Sequence, residues 1–252
     1  MNNQFHTNLN RMALFAALIA AGVILGFGEI MRIAMANIWL NGIIIGTTLF
    51  GIGLAFANIF QLVPEYRWMK RFFTGKAKAR ELPPRILRSV AILLNAAKVS
   101  HSSKLSAQTV SSSFDMILGR FEDMRESVRY ITNILIFLGL LGTFWGLIHT
   151  VGGFADLVGG LNFEDVDIMV SVQHGLAMPL SGMGMAFASS LFGLAGSLIV
   201  GFLGLQVQLA QNAMFRELEE KLSGLTQDDQ VTALTNVVAK LEKTIGRMAP
   251  KS

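Results

Sequence analysis

Three hydroxyls sit where an apolar chain has least reason to keep them. Thr143 marks the middle of the run LGLLGTFWGLI at 138–148, and Ser189 and Ser190 mark the middle of a second run at 176–205. Neither run holds a Lys, Arg, Asp or Glu. A hydroxyl donates and accepts hydrogen bonds at modest cost. An ionised carboxylate at mid-membrane costs about 2.5–3.5 kcal/mol even on a lenient insertion scale. Such a lining can solvate a water file or a carboxylate brought by another chain, but it cannot easily shuttle protons alone.

Small residues surround these hydroxyls. Gly182, Ala186, Ser190, Gly193, Ser197, Gly201 and Gly204 follow one another by three or four residues, and Gly139, Gly142, Gly146, Thr150 and Gly153 repeat the device. Stripes of this kind let helix backbones approach closely in lipid, where the hydrophobic effect no longer drives association. Two readings therefore stay open. The hydroxyls line an ion path (Thr143, Ser190, Ser189), or they bond to carbonyls one turn back while the stripes act only as packing seams.

Other chemistry is sparse. The chain has no cysteine, which excludes disulfides and thiolate sites, and its four histidines show no metal-ligand spacing. No nucleophile, acid–base set or cofactor motif stands out, so neither covalent catalysis, a cofactor nor a metal is expected. His149 and His174 flank the outer ends of the two runs, where an outer proton relay is conceivable, although interfacial hydrogen bonding is the commoner role. Glu29 and Arg32, three residues apart, are expected to pair locally or snorkel.

The elements that position these groups follow from composition. Of 252 residues 52% are hydrophobic and 15% charged, with a mean hydropathy of +0.50, whereas soluble domains carry about 25% charged residues. Four segments (12–31, 38–60, 131–155 and 176–205) are long enough to span a bilayer core of about 20 residues. The first is too long for a typical signal-peptide core and reads as a retained helix. Thirteen of the 21 Lys and Arg fall in 61–129, none in 156–175 and six after 205. By the positive-inside rule, loop 61–129 and both termini face the cytoplasm, and 156–175 faces out.

The cytoplasmic loop opens with the basic, aromatic stretch Tyr66-Arg-Trp-Met-Lys-Arg-Phe-Phe. It is read as a juxtamembrane segment held against anionic headgroups, with its aromatics at the interface. Nucleic acid is not an expected partner so close to a membrane. After Pro83-Pro84, Ile86, Leu87, Val90, Leu93 and Leu94 recur at helical spacing. A second helix is expected from about Ser106 through Phe114, Ile117, Leu118 and Phe121 into the third span. The fourth span should continue to Leu222 and end near Gly224. An amphipathic tail, with Asp228 as its N-cap, carries Val231, Leu234, Val238, Leu241, Ile245 and Met248. The expected fold is all-α: a polytopic membrane protein with four transmembrane helices, the last two extended into a cytoplasmic helical bundle. Its expected parts are 1–60, 61–129, 130–222 and 223–252.

The string LGLLGTFWGLI, with Ala188-Ser-Ser-Leu-Phe-Gly-Leu194, resembles the MotA/TolQ/ExbB proton-channel family over roughly residues 115 to 222. These inner-membrane subunits convert proton-motive force into mechanical work. The resemblance implies that the channel threonine falls on Thr143 and the second hydroxyl on Ser190, with Gly193 and Leu194 completing its pattern. A glutamate found in ExbB- and TolQ-like members falls on Met185 here, so that carboxylate role does not carry over. The resemblance further implies a homo-oligomer, a pentamer, in the bacterial inner membrane. It would surround a single-span MotB/TolR/ExbD-like partner that supplies an intramembrane aspartate. A non-conducting four-helix membrane scaffold is the alternative. Neither the driven machine nor the ion, proton or sodium, is fixed by these residues.

Overall fold

The computed structural model describes residues 4–75, 85–92, 107–161 and 168–248, with the backbone alone beyond residue 222. Among the described residues the chain is helical apart from turns. In order it forms α1 (Gln4–Leu25), α2 (Phe27–Ala34), a 3-10 turn (Met35–Asn37) and α3 (Ile38–Phe73). After these come α4 (Ala107–Gly160), α5 (Ile168–Gly175) and α6 (Ala177–Met248). Three stretches, Phe27–Phe73, Val110–Gly160 and Met169–Leu222, are long and apolar enough to cross a membrane. Leu9–Leu25 is apolar but shorter.

The segment expected as one span at 12–31 is parted at Gly26, between α1 and α2. Glycine lacks side-chain packing and weakens a helix interior by about 1 kcal/mol. The 3-10 turn after α2 interrupts the regular helix before α3, and two asparagines bond across it. Asn37 accepts a hydrogen bond from the Leu40 N–H at 3.2 Å and so caps the start of α3. Asn41 donates to the Ile33 and Ala34 carbonyls at 3.3 and 3.2 Å. Residues seven or eight apart lie about 10 Å or more from each other along a straight helix. These bonds therefore require the turn.

α4 runs unbroken from Ala107 through the expected third span: it contains no proline, and Gly119, the one glycine before that span, is outweighed by good helix formers around it. α6 is longer than expected. The spacing predicts a stop near Gly224 and a fresh N-cap at Asp228, yet both lie inside the helix. The Leu, Gln, Ala, Lys and Glu residues around them outweigh one glycine and one aspartate. The side-chain stripe from Val231 to Met248 lies outside the described side chains, and Pro83, Pro84, Leu93 and Leu94 lie outside the described residues.

The chain divides into two units, one from Met1–Ile59 and Met124–Leu209, the other from Phe60–Asp123 and Ala210–Ser252. In the first unit, Ile44, Val128, Leu135 and Val200 form a buried cluster flanked by Leu40, Ile52, Ile131 and Phe192. In the second, Leu62 and Met69 of α3, Ile117 and Phe121 of α4, and Met214 and Leu218 of α6 are buried. Ile86, Leu87 and Val90 from the short helical segment at 85–92 are buried in that unit too.

Candidate functional site

The seam between α4 and α6 is built by subtraction of side chains. A Cβ added to Gly193 would fall 2.6 Å from Gly139 Cα and 2.7 Å from the Leu135 carbonyl oxygen. One on Gly142 would land on the Ser189 side chain, and one on Gly146 would sit 2.6 Å from Ala186 Cβ. Gly182 faces Thr150, and Gly153 faces Pro179. As numbers rise along α4 they fall in step along α6, so the helices are antiparallel in one constant register. Thr150 ties the seam together: its hydroxyl donates to Gly146 O at 2.9 Å and to Pro179 O at 3.3 Å on the facing helix. Seven sequence-predicted seam residues stand in this region: Gly139, Gly142, Gly146, Gly182, Ala186 and Gly193 face the opposite helix, and Ser197 is buried with its hydroxyl donating to Leu194 O.

The two adjacent serines behave differently. The stripe expected Ser190 on the seam. Ser189 faces Gly142 instead, and only the Ser190 backbone carbonyl approaches the seam, at Gly139. The reason is angular: neighbouring helix positions differ by about 100°, and a stripe spaced by threes and fours cannot choose between two adjacent small residues. Ser189 is fully buried and donates to Asn41 Oδ1 at 2.8 Å. Ser190 is half-buried. Thr143, also half-buried, donates to Leu140 O at 2.6 Å, one turn back in its own helix. That bond uses the hydroxyl proton and leaves the oxygen able to accept.

No family model, curated protein or solved structure matches the chain.

Asn41 is the functional-site residue that sequence reasoning missed. It is fully buried in α3 and joins three elements, through its two bonds to the end of α2 and its bond from Ser189 of α6. The signal was present, since Asn41 is an amide inside the apolar segment 38–60 and such polar groups require partners.

Toward one end of the seam, His149 packs against the Trp145 ring, with centroids 5.8 Å apart. His174 is exposed and lines a cavity of about 250 Å³ with Asp156, Ser171 and Met178. His149 does not line that cavity, so the two histidines share no common pocket there. Arg32 and Glu29 pair at 3.1 Å on the exposed face of α2, as expected of residues three apart. A pair so exposed contributes about 0–1 kcal/mol. Among the described residues no group of three or more His, Asp or Glu is placed to hold a metal.

In the second unit a carboxylate does what hydroxyls do in the first. Glu65, which follows the helix-internal Pro64, is 1% exposed. Its oxygens accept from the backbone N–H groups of Arg85, Ile86 and Leu87 at 2.6, 2.7 and 3.2 Å. These are the orphan donors at the start of the short helical segment, so Glu65 caps it from a distance. The aromatic stretch expected at a lipid interface also turns inward here. Tyr66 and Trp68 are buried, and the Tyr66 hydroxyl donates to Glu217 at 3.1 Å. Burial, then the Glu217 charge and hydrogen bond, push the phenol up to about 12. Lys70 lies over the Tyr66 ring at 5.2 Å. The interface reading missed the Glu65 and Tyr66 hydrogen bonds because they reach across the chain to the 85–92 segment and to α6.

Proposed function

We propose that the chain is a proton-channel subunit of the bacterial inner membrane. In this reading it uses proton-motive force to drive mechanical work through a single-span partner. Four crossings put both termini in the cytoplasm, with α1 as a short first span. The observation that carries the reading is the pairing of two charge-free helical stretches, packed backbone to backbone, with Thr143 and Ser190 half-buried beside the seam. Such a wall is wettable but has no titrating acid of its own. The partner's aspartate supplies it, and successive copies of the chain, five in the expected assembly, enclose the path.

In mechanism, the Thr143 oxygen keeps its acceptor capacity while its proton is held by Leu140 O. It can take a hydrogen bond from a protonated partner carboxyl or from water, and release it when the proton moves on. One charge crossing 100 mV yields about 2.3 kcal/mol, enough to bias a helix interface with two packings. Whether the flagellar, Tol-like or uptake type of machine is driven depends on the partner's outer domain. The test replaces Thr143 with Val and Ser190 with Ala and measures proton flux in the assembled complex. The expected outcome is lost flux with intact assembly. Unchanged flux in the double variant sinks the proposal.

A specific observation favours a second reading, a non-conducting membrane scaffold. Ser189 is fully buried and bonded to Asn41, so at least one of the three hydroxyls serves packing. The scaffold predicts that Gly142→Leu breaks assembly while the hydroxyl substitutions do nothing.

A further inference from the structure

Between α1, α3 and α6 in the first unit lies an apolar groove of about 750 Å³, whose walls include Phe15, Ile24, Ile45, Ile52, Ala195 and Leu203. Its one hydroxyl, on Thr48, is spent on Ile44 O at 2.8 Å. Side chains along its rim, such as Ile24 and Leu49, are largely exposed, so the groove opens outward. Two further observations converge on one end of it.

The first is charge. Phe15 of α1 packs against Phe202 of α6, with ring centroids 4.0 Å apart and the planes tilted by 37°. Four residues before Phe15 stands Arg11, exposed and the only Lys, Arg, Asp or Glu of α1. Of the other helices lining the groove, α3 carries no formal charge from 38 to 64 and α6 none from 177 to 215, while α2, which lines it through Ile30, carries Glu29 and Arg32 paired with each other. Arg11 is thus the sole charge that the groove's own walls bring to that end. The second is an unmet hydrogen bond. Gln206 is 5% exposed, and its Oε1 has no hydrogen-bond partner among the described residues. Gln206 stands three positions after Leu203 and seven after Ile199, and both of those line the groove, so it lies on the same face of α6. Arg11 and Gln206 each stand four residues from the Phe15–Phe202 contact. In the four-span topology proposed above α1 and α6 run in opposite directions, which puts the two residues at one level, about 6 Å beyond that contact.

We propose that this groove binds an anionic phospholipid with a glycerol-type headgroup. An acyl chain fills the apolar walls, the phosphate sits on the Arg11 guanidinium, and a headgroup hydroxyl donates to Gln206 Oε1. A buried carbonyl oxygen without a donor is destabilising, and an anion beside the lone guanidinium is favourable. One ligand meets both needs and removes the apolar walls from any contact with water. By the positive-inside rule Arg11 belongs to the cytoplasmic leaflet, where anionic lipids attract basic groups. The proposal requires the chain to lie in a bilayer. It does not require ion conduction.

The test is native mass spectrometry of the full chain in neutral detergent, titrated with palmitoyl-oleoyl-phosphatidylglycerol and, separately, with the phosphatidylcholine of the same chains. The wild type is expected to prefer the glycerol lipid by about fivefold or more, the worth of one basic residue near a membrane surface. Arg11→Gln brings the two lipids near parity. Gln206→Leu weakens phosphatidylglycerol while leaving phosphatidic acid, which has a phosphate but no glycerol headgroup, unaffected. Ala20→Phe fills the groove and removes the adducts of both lipids, and Ala195→Leu from the opposite wall repeats the result should the first variant fail to fold. Equal retention of both lipids by the wild type overturns the proposal, as does retention by both groove-filling variants. Cross-linking of two lipid-free copies through Ala20→Cys also overturns it, because a second copy would then be the occupant. Proton flux is not read in this experiment, so its failure leaves the channel reading untouched, and the reverse holds.

Discussion

The two units use the same three long helices and hold them together by opposite means. In the first, α4 and α6 meet through Gly139, Gly142, Gly146, Ala186 and Gly193, and contact is made by leaving side chains out. In the second, the same helices meet with Phe121, Ile117, Met214 and Leu218 fully buried. The contrast is the one expected of packing in two different solvents. Where surroundings are as apolar as leucine, burying a large side chain gains little, and close backbone approach with hydroxyl bonds does the work. Where water is the alternative, each buried large side chain contributes about 1.5–3 kcal/mol. The polar anchors divide in the same way: neutral Asn41, Ser189 and Thr150 in one unit, ionisable Glu65 and Glu217 in the other.

That comparison breaks most sharply on substitutions of opposite sign. Phe121→Ala should destabilise the second unit by about 3–5 kcal/mol, because a fully buried ring leaves a cavity that helices close poorly. Chemical denaturation in detergent, monitored through Trp68, whose ring stacks on Phe72 with centroids 5.2 Å apart, measures it. The first unit should instead suffer from added atoms. Gly193→Ala places a methyl against the Gly139 backbone, which cannot move aside as a flexible side chain could. About 1–3 kcal/mol is expected, the usual range for overpacking. If the glycine substitution proves neutral and alanine at Gly139 is neutral as well, the seam is not a close contact, and the comparison fails at its first unit.

Next in size is Glu65. Replacing it with Ala strips three backbone N–H groups of their acceptor, and each unsatisfied buried donor costs about 1–3 kcal/mol if water cannot reach it. Water will reach some of them, so the expected result is local opening rather than global unfolding. Hydrogen exchange should quicken at Arg85, Ile86 and Leu87 while the Gly139–Gly193 region stays protected. Glu65→Gln retains one acceptor oxygen and should fall between the two. Unchanged exchange at these three amides in Glu65→Ala would mean that Ile86, Leu87 and Val90 hold the segment by burial alone.

Much of this was legible in the sequence and some was not, for physical reasons that differ by residue. The unbroken α4 was legible because Gly119 is the one glycine before the third span and no proline falls in the helix, and the small-residue seam was legible because spacing by threes and fours is a helical signature. The choice between Ser189 and Ser190 was not, since both satisfy the same spacing within the tolerance of a turn. Nor was the end of α6, where Gly224 and Asp228 looked decisive locally and were overridden by their neighbours. The inward turn of Tyr66 is tied to Glu217, 151 residues away along the chain, and no local pattern reports a partner so distant. Asn41 could have been flagged as a buried amide, but its three partners could not be named.

The smallest expected effect bears on the finest part of the comparison, whether the neutral anchors of the first unit contribute through partnership. Asn41 accepts from Ser189 at 2.8 Å while donating to two carbonyls. A double-mutant cycle of Ser189→Ala with Asn41→Leu isolates the first bond from the other two. Interhelical hydrogen bonds of membrane proteins average about 0.6 kcal/mol in such cycles and reach about 1.7, because the separated helices also find partners. The coupling here should lie in that range. Asn41→Leu alone should cost more than Ser189→Ala alone, since it also leaves the Ile33 and Ala34 carbonyls without their donor at the turn. A coupling near zero, with both single substitutions still destabilising, would assign the cost to shape at Gly142 and to the turn separately. Ser189 would then be a small residue that happens to carry an oxygen.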